Sequence, residues 1–411
     1  MKIEIGKGSA LTALVAGTLF YVGVALAEQP IKIGYAADIS GACGMLTDGQ
    51  TKGFKLGVDE LNKSGGLLGR KIEIIERDTK TRPDAGAKEV RDLIVSEKVD
   101  VITGGCSSAV LLAENAVSAE FKVPFYSTIG ISEKLNLEKF QPYFWMTPAN
   151  TLMKGKMWAE VVARHKDWKK ISTLGYDYEM THTTLTAFRA HLKKLRPDIE
   201  VSEVVVAKLG ETNFSSQILA VLGQKPDAVL SLIYGGGMIN LISQGKSFGF
   251  FEKTNLVTYG SVDFLTALTG IAPERGLYVA ARAPFNAFYE NPKAKAFIDA
   301  YKARYNKVPD DWAVLGYEGV MYYAAAVRQA KTTEANAVMK AVTSIKYSGL
   351  RDSNLSVRAL DGQMNAPLWY GTVGMDPQYH HLVMKNITRI DGINLMMSED
   401  EIKAQRSAAT K

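Results

Sequence analysis

Residues 53–73 read GFKLGVDELNKSGGLLGRKIE, and this stretch combines a helix, its end and the start of a strand. Phe54, Val58 and Leu61 are spaced i, i+4 and i+7, so they share one face of a helix. Two adjacent glycines then stop the helix, and residues 71–77 form an apolar pattern that predicts a strand. Such a direct passage from helix to strand is typical of α/β proteins.

The same alternation extends on both sides of this stretch. A strand is predicted before it at 31–37. After it come a helix opened by Pro83, a strand at 99–103, a third helix from Ser108 and a strand at 123–127. The order is βαβαβαβ, which implies a parallel sheet with helices on both faces.

After residue 147 the alternation starts again. Strands are predicted at 171–175, 201–207, 228–233, 256–259 and 277–283, with helices between them at, for example, 183–195 and 215–222. No low-complexity segment separates the two sets of elements, so the connection near residue 147 should be a short hinge. The predicted fold class is α/β, with two doubly wound parallel-sheet lobes.

The C-terminal part of the chain should return to the first lobe. Helical patterns at 292–305, 312–329 and 335–344 precede a strand-like segment at 365–375. A second lobe complete near residue 283 would leave these helices without a sheet. We therefore expect a hinge of several crossovers, and a crevice where both sheets present the carboxyl ends of their strands.

These crossovers define the predicted domains. The N-terminal lobe comprises residues 28–147 and 283–368, and the C-terminal lobe comprises residues 148–282 and 369–411. A chain of 411 residues is longer than a single hydrophobic core usually supports, so its length favours two lobes. The ligand site is expected in the cleft between them.

The N-terminal residues predict export. Lys2 and Lys7 precede a soft apolar run that ends in Ala25-Leu26-Ala27, whose small residues fit a signal-peptidase site. A retained membrane anchor is the alternative, since a span needs about 20 apolar residues. We expect residues 1–27 to be a cleaved signal peptide and the mature protein to be periplasmic.

Composition and charge narrow the function. The chain is 46% hydrophobic and 22% charged, as in ordinary globular proteins, and its formal net charge is +6. The basic residues are spread thinly, which argues against a nucleic-acid partner, whereas a mildly positive field suits an anionic ligand.

Motifs for catalysis or metal binding are missing from the sequence. It contains no Gly-x-Ser-x-Gly, no Gly-x-Gly-x-x-Gly after the first strand and no His-Glu-x-x-His. His165, His182 and His191 are scattered, although a nucleophilic pair of Cys106 and His182 is conceivable. We expect no enzyme activity, no metal and no cofactor; a ligand sensor for a signalling partner remains an alternative.

Several segments resemble one family. The stretch 53–73 followed by Asp78, Cys106-Ser107-Ser108, and residues 123–127, 212–215 and 226–229 are similar to the branched-chain amino acid type of periplasmic binding protein. The resemblance implies the type I periplasmic binding protein fold, a monomer that closes around a small solute and serves the membrane permease of an ATP-driven (ABC) importer.

In this family the carboxylate of the ligand is held by hydroxyl and backbone N–H groups that follow strands three and four. The corresponding residues here are Ser107 and Ser108 with the backbone around Ile129, Gly130 and Ile131. Helix N-termini and unpaired loop N–H groups are also anion sites on general grounds. The alternative role of the serines is to cap the third helix.

The chain departs from the family where amino-acid binders carry an acid for the ligand ammonium. The aligned position is Gly260 or Ser261, and the nearest acid is Asp263. An unpaired ammonium inside a closed cleft would be costly, so a zwitterion fits poorly unless Asp263 substitutes. We favour an aromatic or arylpropenoid carboxylate; a branched-chain amino or keto acid is the alternative, followed by a small amide.

Aromatic residues near the predicted strand ends suit a flat ring. Tyr234 corresponds to a family position that stacks over the ligand, and further candidates are Tyr176, Tyr178, Tyr259, Phe285 and Phe288. The predicted ligand contacts are therefore Gly44 and Met45 in the first loop, the five residues after strands three and four, and Tyr178, Tyr234, Gly260, Asp263 and Phe288.

The two cysteines also depart from the family, whose occasional disulfide joins the Cys106 position to one that is Thr81 here. Cys43 instead follows strand one. Strands one and three are neighbours in a doubly wound order, so their following loops emerge side by side. We predict a Cys43–Cys106 disulfide; two separate thiols are the alternative.

Overall fold

The computed structural model describes residues 1, 29–41 and 43–409. The predicted signal peptide, residues 1–27, lies outside the described residues apart from Met1. Within the described part of the chain, no helix is both long enough and apolar enough to cross a bilayer.

The first sheet has five parallel strands in the order β2-β1-β3-β4-β5. They are β1 Ile31–Ala37, β2 Ile72–Asp78, β3 Val101–Gly104, β4 Phe125–Ser127 and β5 Phe144–Met146. The helices between the first four are α1 Gly44–Lys63, α2 Pro83–Val95 and α3 Ser108–Phe121. As predicted, β1 lies between β2 and β3. The three-residue strand β5 is too short to show a periodicity, and the sequence did not predict it.

The second sheet has seven strands in the order β12-β11-β10-β9-β8-β6-β7. Its first part runs α4 Thr151–Ala163, β6 Lys170–Tyr176, α5 Glu179–Leu195, β7 Glu200–Ala207, α6 Ser215–Gly223, β8 Ala228–Ser231, α7 Gly236–Ser247, α8 Phe250–Lys253, β9 Asn255–Tyr259, α9 Val262–Ala267 and β10 Leu277–Ala281. Buried apolar strands such as β8, with all four residues buried, form its centre.

The chain then returns to the first sheet through α10 Pro292–Tyr305, α11 Asp311–Ala330 and α12 Ala335–Val342. Helix α11 packs closely on α1. A methyl group at Gly53 would lie 1.9 Å from the carbonyl oxygen of Ala313, and one at Gly316 would lie 2.3 Å from that of Gln50. Glycine at these positions therefore lets the two helix backbones touch.

The last elements are β11 Leu368–Asp376, β12 His381–Ile390, α13 Gly392–Leu395 and α14 Glu399–Ala409. Strands β10, β11 and β12 are paired antiparallel. The second sheet is thus mostly parallel, as the predicted fold class implies, with an antiparallel edge that the sequence did not predict. A tight turn after Asp376, with His380 at φ 55°, reverses the chain and makes β11 and β12 a hairpin.

Helix α14 contacts the surroundings of both sheets. Lys156 in α4 donates from Nζ to the carbonyl oxygen of Met396 at 3.2 Å and lies 3.7 Å from the Glu401 carboxylate. Arg406 donates to the carbonyl oxygens of Asn136 and Leu360 at 2.7 and 2.9 Å. The C-terminal helix therefore lies against residues assigned by sequence to different lobes.

Candidate functional site

The carboxyl ends of the two sheets face each other. Arg282, directly after β10, donates from Nη1 to the carbonyl oxygen of Ile129 after β4, at 3.1 Å. Lys134, also beyond β4, lies 2.7 Å from the carboxylate of Glu179 at the start of α5. The loops that follow the strands of the two sheets are therefore in contact with each other. The switch-point rule for parallel sheets leads one to expect a ligand at this junction, which is the candidate cleft.

A carboxylate of the protein already occupies the N-terminus of α3. The backbone N–H groups of Cys106 and Ser107 both donate to Asp38 Oδ2 at 2.9 Å, and the Thr79 hydroxyl donates to Asp38 Oδ1. Helix N-termini attract anions, and here the anion is the buried Asp38. The backbone N–H of Ser107, one of the predicted ligand contacts, is therefore already bonded to Asp38.

The side chains of Ser107 and Ser108 remain available to contact a ligand. Ser107 is the N-cap residue of α3, but its hydroxyl makes no capping hydrogen bond, and both Ser107 and Ser108 are half-buried. Their hydroxyl groups, and not the Ser107 N–H, are what the first lobe offers at this point.

The loop after β4 is a fixed wall of the cleft. Ile129, Gly130 and Ile131 are buried or nearly so. The Gly130 N–H donates to the carbonyl oxygen of Gly105 at 3.1 Å, and the Ile131 carbonyl accepts from the Thr151 N–H at 3.1 Å. With the Arg282 bond to Ile129, these contacts connect the loop to both sheets.

A disulfide joins the loop after β1 to the loop after β3. Cys43 and Cys106 are bonded, with their Cα atoms 6.2 Å apart, so the predicted pairing is present in the structure. Gly44 and Met45 begin α1 directly after Cys43, and the Met45 side chain is 69% exposed. The bridge holds this edge of the cleft together, while Met45 projects into solvent.

Three tyrosines form a cluster at the ends of β6 and β8. The ring of Tyr234 lies edge-on to Tyr176 and to Tyr178, with centroids 5.2 and 6.4 Å apart. A methyl at Gly237 would lie 2.0 Å from the Tyr176 hydroxyl. The small residue at the start of α7 thus makes room for Tyr176, which accounts for part of the glycine run at 235–237. Tyr178 and Tyr234 remain half-buried.

The other predicted contacts differ in their surroundings. Phe288 is buried and packs on Trp369, with centroids 5.6 Å apart, so it belongs to the core. Gly260 is also buried, and a methyl there would lie 2.4 Å from Val279. Asp263 is half-buried, and its Oδ1 has no hydrogen-bond partner among the described residues.

Sequence reasoning missed two buried cations, Lys154 and Arg282, which are 4% and 9% exposed. Lys154 Nζ lies 4.4 Å from the centroid of the Tyr259 ring and 3.4 Å from its hydroxyl. Burial, with repulsion from Arg282, holds the pKa of the Lys154 ammonium well below its usual value. Burial likewise lowers the pKa of Arg282 to about 10.

An acidic cluster adjoins them at the start of α11. Asp311 Oδ2 accepts from the backbone N–H groups of Arg282 and Ala283 at 2.7 and 3.0 Å, and its Oδ1 has no partner among the described residues. Burial raises the pKa of Asp311 to about 6 and that of neighbouring Asp310 to about 7.

The sequence contains features that could have indicated the burial of these two cations. Lys154 lies beside Met153 in a helix whose buried face also includes Met157 and Trp158, and Arg282 interrupts the apolar end of β10. Lys and Arg are almost never buried without a partner, so a cation in an apolar run marks a place to search.

Comparison with known proteins agrees with this architecture. The family model described as "Periplasmic binding protein" matches residues 30–377. The Leu/Ile/Val-binding protein homolog 7 of Brucella abortus (strain 2308) is 25% identical over 338 residues, which cover 79% of this chain and 83% of the relative.

Two solved structures have a similar fold. The substrate-binding protein LivJ from Streptococcus pneumoniae, in complex with isoleucine, gives a TM-score of 0.75 at 24% identity, covering 88% of this chain and 99% of that chain. A solute-binding protein from Rhodopseudomonas palustris BisB5, in complex with 3,4-dihydroxybenzoic acid, gives 0.77 at 20% identity, covering 89% and 98%. Because the family model spans most of the sequence, the chain belongs to the periplasmic binding protein family.

Proposed function

We propose that the chain is the extracytoplasmic substrate-binding component of an ABC importer and that it closes around a small aromatic carboxylate. The observation that supports an aromatic ligand is the cluster of Tyr176, Tyr178 and Tyr234 at the carboxyl ends of β6 and β8, opposite the first-lobe loops. Half-buried tyrosine rings offer a flat apolar surface together with hydroxyl groups. The Rhodopseudomonas neighbour, whose ligand is a dihydroxybenzoate, agrees with this choice.

The two lobes are expected to close because the ligand contacts both of them. A ligand stabilises a closed form only to the extent that it binds that form more tightly than the open one. Here the first lobe offers the hydroxyls of Ser107 and Ser108, and the second lobe offers the tyrosines. A ligand that contacts both would favour rotation about the crossovers near residues 147, 283 and 369.

A second candidate ligand is an amino acid. Asp263 Oδ1 has no partner among the described residues, and Asp263 lies near enough to Asp310 and Asp311 to raise the pKa of both. An ammonium group there would complete this cluster. The Streptococcus neighbour, whose ligand is isoleucine, makes this the natural rival.

A matched pair of ligands separates the two candidates. Phenylalanine and 3-phenylpropanoate differ only in the ammonium group. Calorimetric titration of residues 28–411 with these two compounds, and with 3,4-dihydroxybenzoate and isoleucine, tests whether the ligand is an aromatic carboxylate or an amino acid. We expect the two ring carboxylates to bind with micromolar affinity, about −8 kcal/mol, and the two amino acids to bind at least about tenfold more weakly. Tighter binding of the amino acids would favour the rival, and turnover of any of these compounds would refute a binding role.

Tyr234 provides the corresponding mutational test. Tyr234→Ala removes the central ring of the cluster and should weaken binding of 3,4-dihydroxybenzoate about tenfold or more. Tyr143→Ala is a matched control, because that tyrosine lies before β5 and bonds to Asn336 at 2.8 Å, away from the cluster. Equal affinity of wild type and Tyr234→Ala would exclude Tyr234 from the site.

A further inference from the structure

Two cations are buried in the cleft without a side-chain carboxylate bonded to either of them. Among the described residues, the polar contact of Lys154 Nζ is the Tyr259 hydroxyl at 3.4 Å. The guanidinium of Arg282 donates to one carbonyl oxygen, that of Ile129, and lies 4.6 Å from the centroid of the Trp312 ring. Burying a charge is costly unless it is paired, so such an arrangement requires an explanation.

The nearby acids do not supply that partner. One carboxylate oxygen of Asp311 accepts from the backbone N–H groups of Arg282 and Ala283, and not from the side chains of Lys154 and Arg282. Glu318, another buried acid, pairs with Arg351 at 2.7 Å. Asp263 and Asp310 lie near Asp311, but among the described residues none of these carboxylates is bonded to the Lys154 ammonium or to the Arg282 guanidinium. The two side chains therefore keep donors that a ligand anion could use.

An unpaired hydrogen-bond donor lies beside this pair. Trp312 Nε1–H is buried and has no partner among the described residues, while the Trp312 ring lies against the Arg282 guanidinium. Buried indole N–H groups normally find an acceptor. A ligand oxygen near Arg282 is one group that would supply it.

A carboxylate of the protein already lies at the corresponding site of the first lobe. Asp38 accepts the N–H groups of Cys106 and Ser107 just before α3, so a ligand carboxylate there would face the charge of Asp38. Like charges at such short range repel strongly when they are buried. A ligand carboxylate is therefore favoured on the opposite wall of the cleft.

We propose that Lys154 and Arg282 of the second lobe are the anchor for the carboxylate of the ligand. This inference rests on the proposed function and names the chemistry of the same cleft. In this proposal the carboxylate accepts from both cations, and the ring attached to it extends towards Tyr178 and Tyr234. Tyr259, which contacts Lys154, lies near both of these tyrosines. Because Arg282 also bonds to Ile129 of the first lobe, occupancy of the anchor couples ligand binding to the contact between the lobes.

Paired ligands and paired variants test the anchor. Calorimetric affinities of 3,4-dihydroxybenzoate and of its neutral amide, 3,4-dihydroxybenzamide, are measured for wild type, Lys154→Met and Arg282→Gln. We expect each variant to lose about ten- to a hundredfold in affinity for the acid, since a hydrogen bond to a charged group is removed, and less than about threefold for the amide.

Two control variants change cations elsewhere in the same lobe. Lys156→Met removes a lysine from the same helix, where it meets Glu401 and Met396, and Arg189→Gln removes an arginine that donates to the Ser202 carbonyl at 2.6 Å. Neither should change the ratio of the two affinities. Melting temperatures of the ligand-free proteins check folding, and should Arg282→Gln fail to fold, Lys154→Met and Arg282→Lys take its place.

The outcomes are distinct. If wild type binds the acid and folded Lys154→Met and Arg282→Gln bind it equally well, the anchor is refuted while the proposed function stands. If both ligands lose affinity equally in the variants, the cations serve the shape of the cleft and not the carboxylate, which also refutes the anchor. If wild type binds neither compound, the proposed aromatic ligand fails, and this inference fails with it.

Discussion

At the scale of single residues, the cleft is organised by buried charges. Asp38 holds the start of α3 from inside the protein, and Lys154 and Arg282 occupy the facing wall. A carboxylate that satisfies backbone donors in the interior strongly stabilises the folded state, because its removal leaves those donors without a partner. A buried cation that is not bonded to a carboxylate has the opposite effect, and ligand binding explains its presence better than stability does.

The role of Asp38 gives a stability prediction. Asp38→Ala should lower the free energy of unfolding by about 2–4 kcal/mol, because the N–H groups of Cys106 and Ser107 and the Thr79 hydroxyl lose their acceptor. Urea denaturation of the ligand-free protein measures this. Asp198→Ala, which removes an exposed partner of Arg196, should cost less than about 1 kcal/mol. Equal losses in the two variants would show that Asp38 does not hold the helix.

The positions of the clustered tyrosines could be predicted from the sequence, whereas those of the buried cations could not. Tyr178 and Tyr234 could be placed because they directly follow strands, and strand ends are located by apolar runs. Lys154 could not, because it lies within a helix whose burial depends on how α4 packs on the second sheet. Nor could Asp38 be recognised as the anion at α3, since its contact with Ser107 spans 69 residues of sequence.

At the scale of elements, the junction of α1 and α11 joins the returning C-terminal segment to the first sheet. Its closeness depends on small residues on both helices, among them Gly53 and Gly316. Added atoms in such a contact force the backbones apart and commonly cost 1–3 kcal/mol or more.

The junction can be tested with two glycine substitutions. Gly53→Ala should destabilise the protein by about 2–4 kcal/mol, since the new methyl would lie 1.9 Å from the Ala313 carbonyl oxygen. Gly223→Ala is the control, at the last position of α6 with nothing within 4 Å of the new methyl, and should change stability by less than about 1 kcal/mol. Thermal or urea unfolding compares them; a neutral Gly53→Ala would contradict the close packing.

Most elements could be predicted from periodicity, because the alternation of short apolar runs with i, i+4 helical faces is strong throughout. The antiparallel edge of the second sheet, formed by β11 and β12, could not be predicted in this way. Strand β11 enters the sheet after the chain has passed through α10, α11 and α12, so no βα repeat indicates its direction relative to β10. The reversal between β11 and β12 depends on the turn before His381, in which His380 adopts a left-handed conformation. Glycine usually marks such a turn, and its absence here removed the signal.

At the scale of the whole molecule, repeated crossings of the chain join the two sheets. The order of strands places β11 and β12 in the second sheet, although the helices just before them pack on the first. Repeated crossings at one edge are a suitable hinge, because a few connecting residues can absorb the rotation. The terminal helix α14 adds a further link, because Glu401 contacts Lys156 on one side and Arg406 bonds to Asn136 on the other.

The disulfide acts on the whole chain by closing a long loop. Cys43 and Cys106 are 63 residues apart, so the bond should add roughly 2–4 kcal/mol to the free energy of unfolding. Intact-mass measurement should show a gain of two hydrogens on reduction of the denatured protein, and the Cys43→Ser, Cys106→Ser double variant should unfold at lower urea. An unchanged mass would mean that the two thiols are separate.

Small-angle X-ray scattering of the mature protein, with and without saturating 3,4-dihydroxybenzoate, tests the closing clamp most directly. Calorimetry on the same sample establishes saturation, and 3,4-dihydroxybenzamide at equal concentration is the control. We predict a smaller radius of gyration with the acid and little change with the amide, because a ligand held by both lobes draws them together. An identical scattering profile with and without the bound acid would contradict the account.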